Sequence, residues 1–223
     1  MKLLVLDLEG TIFEDFQLPD TTISSTVWQG IAKALGPEAM AEEVATHEHW
    51  KGGGYNGSYI RWMEDTIAIH IRYGLTRQVF ESIISAAEYN EGVVSVLSRL
   101  NRNHYQPMIV SGGFRELAHR AQHDLKIVHA FCACEYIFGE DQKIRSYNLF
   151  PCDFDGKIDI IKLMLRDYKL GDSDWIFVGD GANDVPIAKR APLSIGYKPH
   201  ADLEQVVTKS IDNFGDLLKI LEH

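Results

Sequence analysis

Two carboxylates stand two residues apart at the end of an apolar run, Val5-Leu6-Asp7-Leu8-Glu9-Gly10-Thr11. Acids at the end of a hydrophobic strand are costly to bury, so the pair calls for a compensating ligand. Alternate residues of a strand share a face and lie roughly 6–7 Å apart along it, so Asp7 and Glu9 can address one small ligand. The bland alternative is a strand end running into solvent with both acids hydrated. A second acidic group closes Val178-Gly179-Asp180-Gly181-Ala182-Asn183-Asp184. Asp180 and Asp184 are four apart, and one helical turn aims both at a single point. Converging carboxylates suit a hard, oxygen-seeking cation, most simply Mg2+. A turn capped by Asn183 and an aspartate is the alternative there. Val110-Ser111-Gly112-Gly113-Phe114 sets a hydroxyl and two glycines at a strand-to-helix junction, which suits an anion or, more plainly, an N-cap. Lys157, in Asp155-Gly156-Lys157-Ile158, reads by itself as a solvated lysine opening a helix.

The elements that must carry these residues alternate. Apolar runs at 3–8, 106–111, 129–135, 175–179 and 193–197 lack polar alternation, as strands buried on both faces do. Amphipathic stretches at 93–101, 114–124, 157–168 and 185–190 lie between them. Strand alternating with helix implies an α/β fold, a Rossmann-like parallel sheet sandwiched by helices. The interval from 13 to 88 breaks this rhythm. It shows helical patterns near 22–35, 59–71 and 78–87, divided by Gly52-Gly53-Gly54, and suggests a small helical cap inserted after the first strand. The polar stretch 138–150 suits a hairpin beside the third strand.

Composition narrows the function. The 223 residues are 45% hydrophobic and 24% charged, an ordinary globular balance rather than a disordered one. Lys and Arg number 22 against 32 Asp and Glu, a net charge of −10 that disfavours nucleic acid and anionic membrane as partners. No apolar run reaches a membrane span. The opening Met1-Lys2-Leu3-Leu4-Val5-Leu6 is cut by Asp7 and Glu9 before it can serve as a signal peptide, so a cytoplasmic protein is expected. Cys132, Cys134 and Cys152, an odd count, read as buried thiols. His47 and His49 lack companions for a metal site, and Trp28, Trp50 and Trp62 read as cap core.

Taken in order, the four chemical segments resemble the haloacid dehalogenase superfamily of aspartate-nucleophile phosphotransferases. Asp-Leu-Glu-Gly-Thr resembles the first motif, Ser111 the second, Lys157 the third and Gly-Asp-Gly-Ala-Asn-Asp the fourth. The last, with Ser-Gly-Gly-Phe and the cap position, is similar to the phosphoserine phosphatase branch. The resemblance implies a catalytic core over 1–14 and 89–223 and a cap over 15–88. It implies Asp7 as nucleophile, passing through an aspartyl-phosphate, and Glu9 as general acid/base. It implies Mg2+ held by Asp7, the backbone carbonyl of Glu9, Asp180 and, directly or through a neighbour, Asp184. Ser111, Gly112 and Lys157 would hold phosphate oxygens, and Asn183 would orient its neighbours. The substrate implied is a small-molecule phosphate ester; oligomeric state is left open.

One position departs from the family's commonest pattern: Glu9 stands where Asp is usual. Its carboxyl reaches one methylene further, with a slightly higher reference pKa. A minority of the branch shares it, including an enzyme that passes phosphate from phosphoserine to homoserine, so phosphotransfer to an alcohol stays beside hydrolysis. A noncatalytic phosphate-binding protein on the same scaffold is the rival of another class. In the cap, Arg61, beside an aromatic, is a candidate carboxylate clamp. The place expected for an acidic substrate contact holds Phe16, with Glu14 near but out of register.

Overall fold

A computed structural model describes residues 1–17 and 24–222. A seven-stranded sheet runs in the order β6-β5-β4-β1-β7-β8-β9. Its strands are β1 (Lys2–Leu6), β4 (Tyr105–Phe114), β5 (His129–Phe138), β6 (Ile144–Leu149), β7 (Trp175–Gly179), β8 (Leu193–Tyr197) and β9 (Lys209–Ile211). β1 pairs in parallel with β4 on one side and β7 on the other, and β7, β8 and β9 continue in parallel. β5 and β6 form an antiparallel pair, the hairpin expected from the polar stretch. The short β2 (Phe16–Gln17) and β3 (Ser24–Ser25) pair with each other. Leu3, Leu4, Val5 and Leu6 are all fully buried, as a central strand covered on both faces requires.

The chain divides into two compact units. The first comprises Met1–Glu14, Glu88–Cys132 and Cys152–His223, the second Asp15–Ala87 and Ala133–Pro151. In the first, helices α5 (Val93–Arg99), α6 (Arg115–Leu125), α7 (Asp155–Asp167), α8 (Val185–Ala188), α9 (Ala201–Glu204) and α10 (Asp216–Leu221) accompany the strands. The connection leaving β1 leads toward β4, whereas the one leaving β7 leads toward β8. The carboxyl ends of β1 and β7 therefore flank the topological switch point, where open α/β sheets bind ligands.

The second unit holds α1 (Val27–Leu35), α2 (Pro37–Lys51), α3 (Tyr59–Arg72) and α4 (Arg77–Ala86). Thr22 and Ile23, read in sequence as the start of the first helix, lie outside the described residues. Helix α2 was not legible: its fully buried face is only Ala39 and Glu43, too little for an apolar stripe, although Pro37 suits a first turn. Trp28 and Trp62 are buried with ring centroids 5.6 Å apart, and His47 stacks on Trp50. His70 Nδ1 meets the Tyr136 hydroxyl at 2.7 Å, and burial lowers its pKa to about 3. None of the three cysteines is in a disulfide among the described residues; Cys132 is half-buried and the others are buried. Among the described residues no helix is long and apolar enough to cross a membrane.

Glu43 is fully buried, and neither of its carboxylate oxygens has a hydrogen-bond partner among the described residues. Burial raises its pKa to about 7. The folded state thus favours the neutral acid, and the stability this gives, complete below about pH 4.3, is lost as pH rises through 7. Glu43→Gln, which cannot ionise, is expected to melt on the order of 5 °C above the wild type at pH 8 and together with it at about pH 4. Parallel calorimetric scans at the two pH values check this; equal melting at pH 8 removes the burial penalty.

Candidate active site

β1 delivers Asp7 at its carboxyl end, where the Asp7 N–H donates to the Val178 carbonyl at 2.9 Å. That bond ties the Asp7 backbone to β7, the strand that leads into Asp180. Beyond Leu8 the chain turns sharply, with the Ile12 and Phe13 N–H groups both donating to the Leu8 carbonyl at 2.9 Å. Gly10 adopts φ +79°, and a Cβ there would overlap the Asp180 carboxyl. Both the left-handed backbone and the close approach demand glycine. Thr11, fully buried, donates its hydroxyl to Asp180 Oδ1 at 2.7 Å. The Asp180 carboxyl is thereby held against the turn that carries the first motif.

Asp184 is reached through a single 3-10 turn, Ala182–Asp184. Its Oδ2 accepts the N–H groups of Asp180 and Gly181, each at 3.2 Å, and its Oδ1 accepts from Lys157 Nζ at 2.7 Å. Lys157 Nζ also donates to Asp7 Oδ1 at 2.5 Å and lies 3.6 Å from Asp153 Oδ1. Lys157 and Asp184 are wholly inaccessible and Asp7 is 6% exposed. The solvated lysine expected from its residue type alone is therefore corrected: three carboxylates from three loops draw it inside. Burial by itself would lower the Lys157 pKa, but Asp184, Asp7 and Asp153 hold the ammonium well above the ordinary lysine value. Burial pushes the Asp7 carboxyl well above the usual carboxylate range, against the pull of Lys157 and with help from Asp184.

One carboxylate oxygen from each of Asp7, Asp180 and Asp184 lies within 4.8 Å of the others. One ammonium against these acids and Asp153 leaves an excess of buried negative charge. An all-oxygen donor set of this kind fits a hard divalent cation, whose charge would also return Asp7 to its ionised form.

Ser111 is not at a helix start, as its sequence context suggested. β4 continues through Phe114, and α6 begins at Arg115. Ser111 Oγ accepts the Gly113 N–H at 3.0 Å rather than capping the helix, which leaves its proton to donate to an anion. Gly112 stands between them. Glu9 is half-buried, and its carboxyl lies against Gly113. Asn183 Nδ2 donates to Asp153 Oδ1 at 3.0 Å. Glu14 is exposed at the end of the first unit, and Arg61 is exposed on α3 of the second.

Sequence reasoning missed three residues. Asp153 had a legible signal, its spacing of four from Lys157. Thr11 had its place at the end of the Asp-Leu-Glu-Gly-Thr segment, and Asn90 had none. The buried Asn90 side chain donates to the carbonyls of Gly10, Thr11 and Phe13 at 2.9–3.1 Å and fixes the turn after Glu9.

A model of the haloacid dehalogenase-like hydrolases matches residues 1–192. Phosphoserine phosphatase of Lactococcus lactis subsp. lactis is 28% identical over 155 residues, 67% of this chain and 68% of that protein. Phosphoserine phosphatase of Archaeoglobus fulgidus is 25% identical over 229 aligned positions, which span 99% of this chain but only 60% of that protein. Among solved structures, a phospho-aspartyl intermediate analogue of phosphoserine phosphatase superposes with TM-score 0.75 at 20% identity, covering 98% of each chain. A substrate-bound phosphoserine phosphatase complex gives 0.74 at 18%, covering 98% of this chain and 97% of that one. At these identities the superpositions speak for the fold.

Gly10→Ala is expected to displace Asp180 and strain the turn. It should weaken Mg2+ binding at least about tenfold and lower stability by about 1–2 kcal/mol. Isothermal titration with Mg2+ and thermal melts measure the two; unchanged affinity would remove Asp180 from the cation site.

Proposed function

We propose that this chain, which belongs to the haloacid dehalogenase-like hydrolases, is a Mg2+-dependent phosphomonoesterase that works through an aspartyl-phosphate on Asp7. The observation that carries the proposal is the buried Lys157 ammonium bonded at once to Asp7 and Asp184, beside Asp180. Binding a phosphate ester does not by itself need a carboxylate so placed. A nucleophilic carboxylate does need cationic neighbours to aim it and hold it ionised, here Lys157 together with the cation that the acids would bind.

Asp7, Asp180, Asp184 and the backbone carbonyl of Glu9 are the groups to hold Mg2+. Bound there, the cation would offset the repulsion between an anionic nucleophile and an anionic ester. Ser111, the Gly112 amide and Lys157 hold the phosphoryl oxygens as charge redistributes among them. An oxygen of Asp7 forms a bond to phosphorus as the bond to the departing alkoxide breaks. Glu9, protonated, gives its proton to the departing alkoxide oxygen, so that the product leaves as an alcohol. In the second half, water attacks phosphorus and passes a proton to Glu9. The Asp7–phosphorus bond breaks, inorganic phosphate leaves and both carboxyls return to their starting states. Asn183 holds Asp153 in place beside Lys157.

Phosphoserine is the first candidate substrate, because the relatives above carry that name. Arg61 is the candidate for its carboxylate and Glu14 for its ammonium. Glu9 in place of Asp favours one further reading, transfer of the phosphoryl group to an acceptor alcohol instead of water. The cytoplasm is the proposed location.

Release of inorganic phosphate from a panel of metabolite phosphates, phosphoserine included, tests the proposal. Turnover should need Mg2+, stop with a chelator, and fall at least about 1000-fold in Asp7→Asn without loss of fold. Activity retained in that variant refutes the nucleophile. Homoserine added with phosphoserine should yield phosphohomoserine only if transfer competes with hydrolysis.

A further inference from the structure

We propose that Gly113 sets the working position of Glu9: the lack of a side chain at 113 lets the longer acid lie beside the phosphate-binding hydroxyl of Ser111. The inference rests on the phosphatase reading, since it concerns the proton transfers assigned there to Glu9.

The argument is spatial. A Cβ placed on Gly113 would clash with Glu9 Oε1, and it would lie 3.4 Å from Glu9 Cδ and 3.3 Å from Ser111 Oγ. The Glu9 carboxyl thus occupies the space that any other residue at 113 would fill. The backbone does not ask for glycine here. Gly113 lies within the extended β4 and is not among the positive-φ residues, in contrast to Gly10. An alanine could take the same φ and ψ without strain. The Ser111 hydroxyl, at 3.3 Å, could yield by a few tenths of an ångström, whereas the Glu9 carboxylate would have to leave. It sits at the far end of a flexible side chain, which can swing aside without moving the backbone, so the loss should fall on proton transfer more than on the fold. Chemistry and stability should therefore separate in this position.

The same geometry connects Gly113 to the unusual residue at position 9. An aspartate's carboxyl would be drawn back by one carbon–carbon bond, about 1.5 Å. A shorter acid would press less on position 113. The Gly113 N–H, which donates to Ser111 Oγ at 3.0 Å, is retained by alanine, so the anion-binding side of the junction is unaffected. Gly113 is in this sense a positioning residue, acting on the reaction only through Glu9.

The test compares Gly113→Ala in the wild-type chain and in the Glu9→Asp background, with Mg2+ and an ester that the wild type turns over. In the wild-type background kcat should fall at least about tenfold, within the range that general acid/base catalysis supplies. In the Glu9→Asp background the same substitution should cost less than about twofold. The inhibition constant for inorganic phosphate and the melting temperature should not move. Crystal structures of the wild type and Gly113→Ala provide a reading that needs no turnover: the Glu9 carboxyl should shift while Ser111 stays. Equal losses in the two backgrounds, a raised phosphate constant, or an unmoved Glu9 carboxyl would each overturn the proposal. Failure of the wild type to hydrolyse any ester would bring down the phosphatase reading instead, and the crystallographic comparison would still decide what Gly113 does.

Discussion

A single buried ammonium organises this molecule. Lys157 has three protons to donate and is faced by three carboxylates, those of Asp7, Asp184 and Asp153. A lysine wholly removed from water survives only with such company, and the acids in turn depend on it. The arrangement is still short of positive charge. Asp180 adds a further carboxylate within 4.8 Å of Asp7 and Asp184, and a cluster short of positive charge in this way could hold a divalent cation. The ammonium that ties these loops of the first unit together is thus the group on which the proposed chemistry of Asp7 also rests.

Around this centre the fold works to keep acids close without letting them scatter. Hydrogen bonding of Asp7 to Val178 locks the first motif to the strand that leads into the fourth. Asn90 closes the turn after Glu9 through three carbonyls, and Thr11 reaches across to Asp180. Asp184 spends one oxygen on backbone N–H groups and the other on Lys157. Neutral donors placed in this way lower the cost of crowding like charges and give each side chain one geometry. The glycines among the motifs act by subtraction, leaving room where a Cβ would meet a carboxyl.

The second unit shows the limits of pattern reading. Helices α1, α3 and α4 carry apolar stripes and were legible from them. Helix α2 was not, because it turns a carboxylic acid inward at Glu43. The β5–β6 hairpin followed from its polar, broken composition, but its membership of the second unit did not. Ser111 illustrates a related difficulty: two glycines after a hydroxyl look like a helix entrance, yet β4 runs on to Phe114 because an extended backbone satisfies glycine equally well.

Sequence by itself determined the chemical inventory and the strand ends that bear it. Apolar runs ending in acids or a hydroxyl located β1, β4 and β7, with β7 and β8 correct to the residue, since doubly covered strands must be continuously apolar. That Asp7, Asp180, Asp184 and Lys157 share a site was implied by the resemblance; what only the tertiary structure decided is the contacts through which they meet. By residue type alone Lys157 looks like a surface lysine, and only the fold brings a partner 150 positions away to 2.5 Å; Asn90 looks like an ordinary polar residue until its side chain closes the turn after Glu9. Local pattern records which apolar runs are buried; which charge faces which is set by the parallel register of β1 with β4 and β7, a long-range fact that no window of sequence contains.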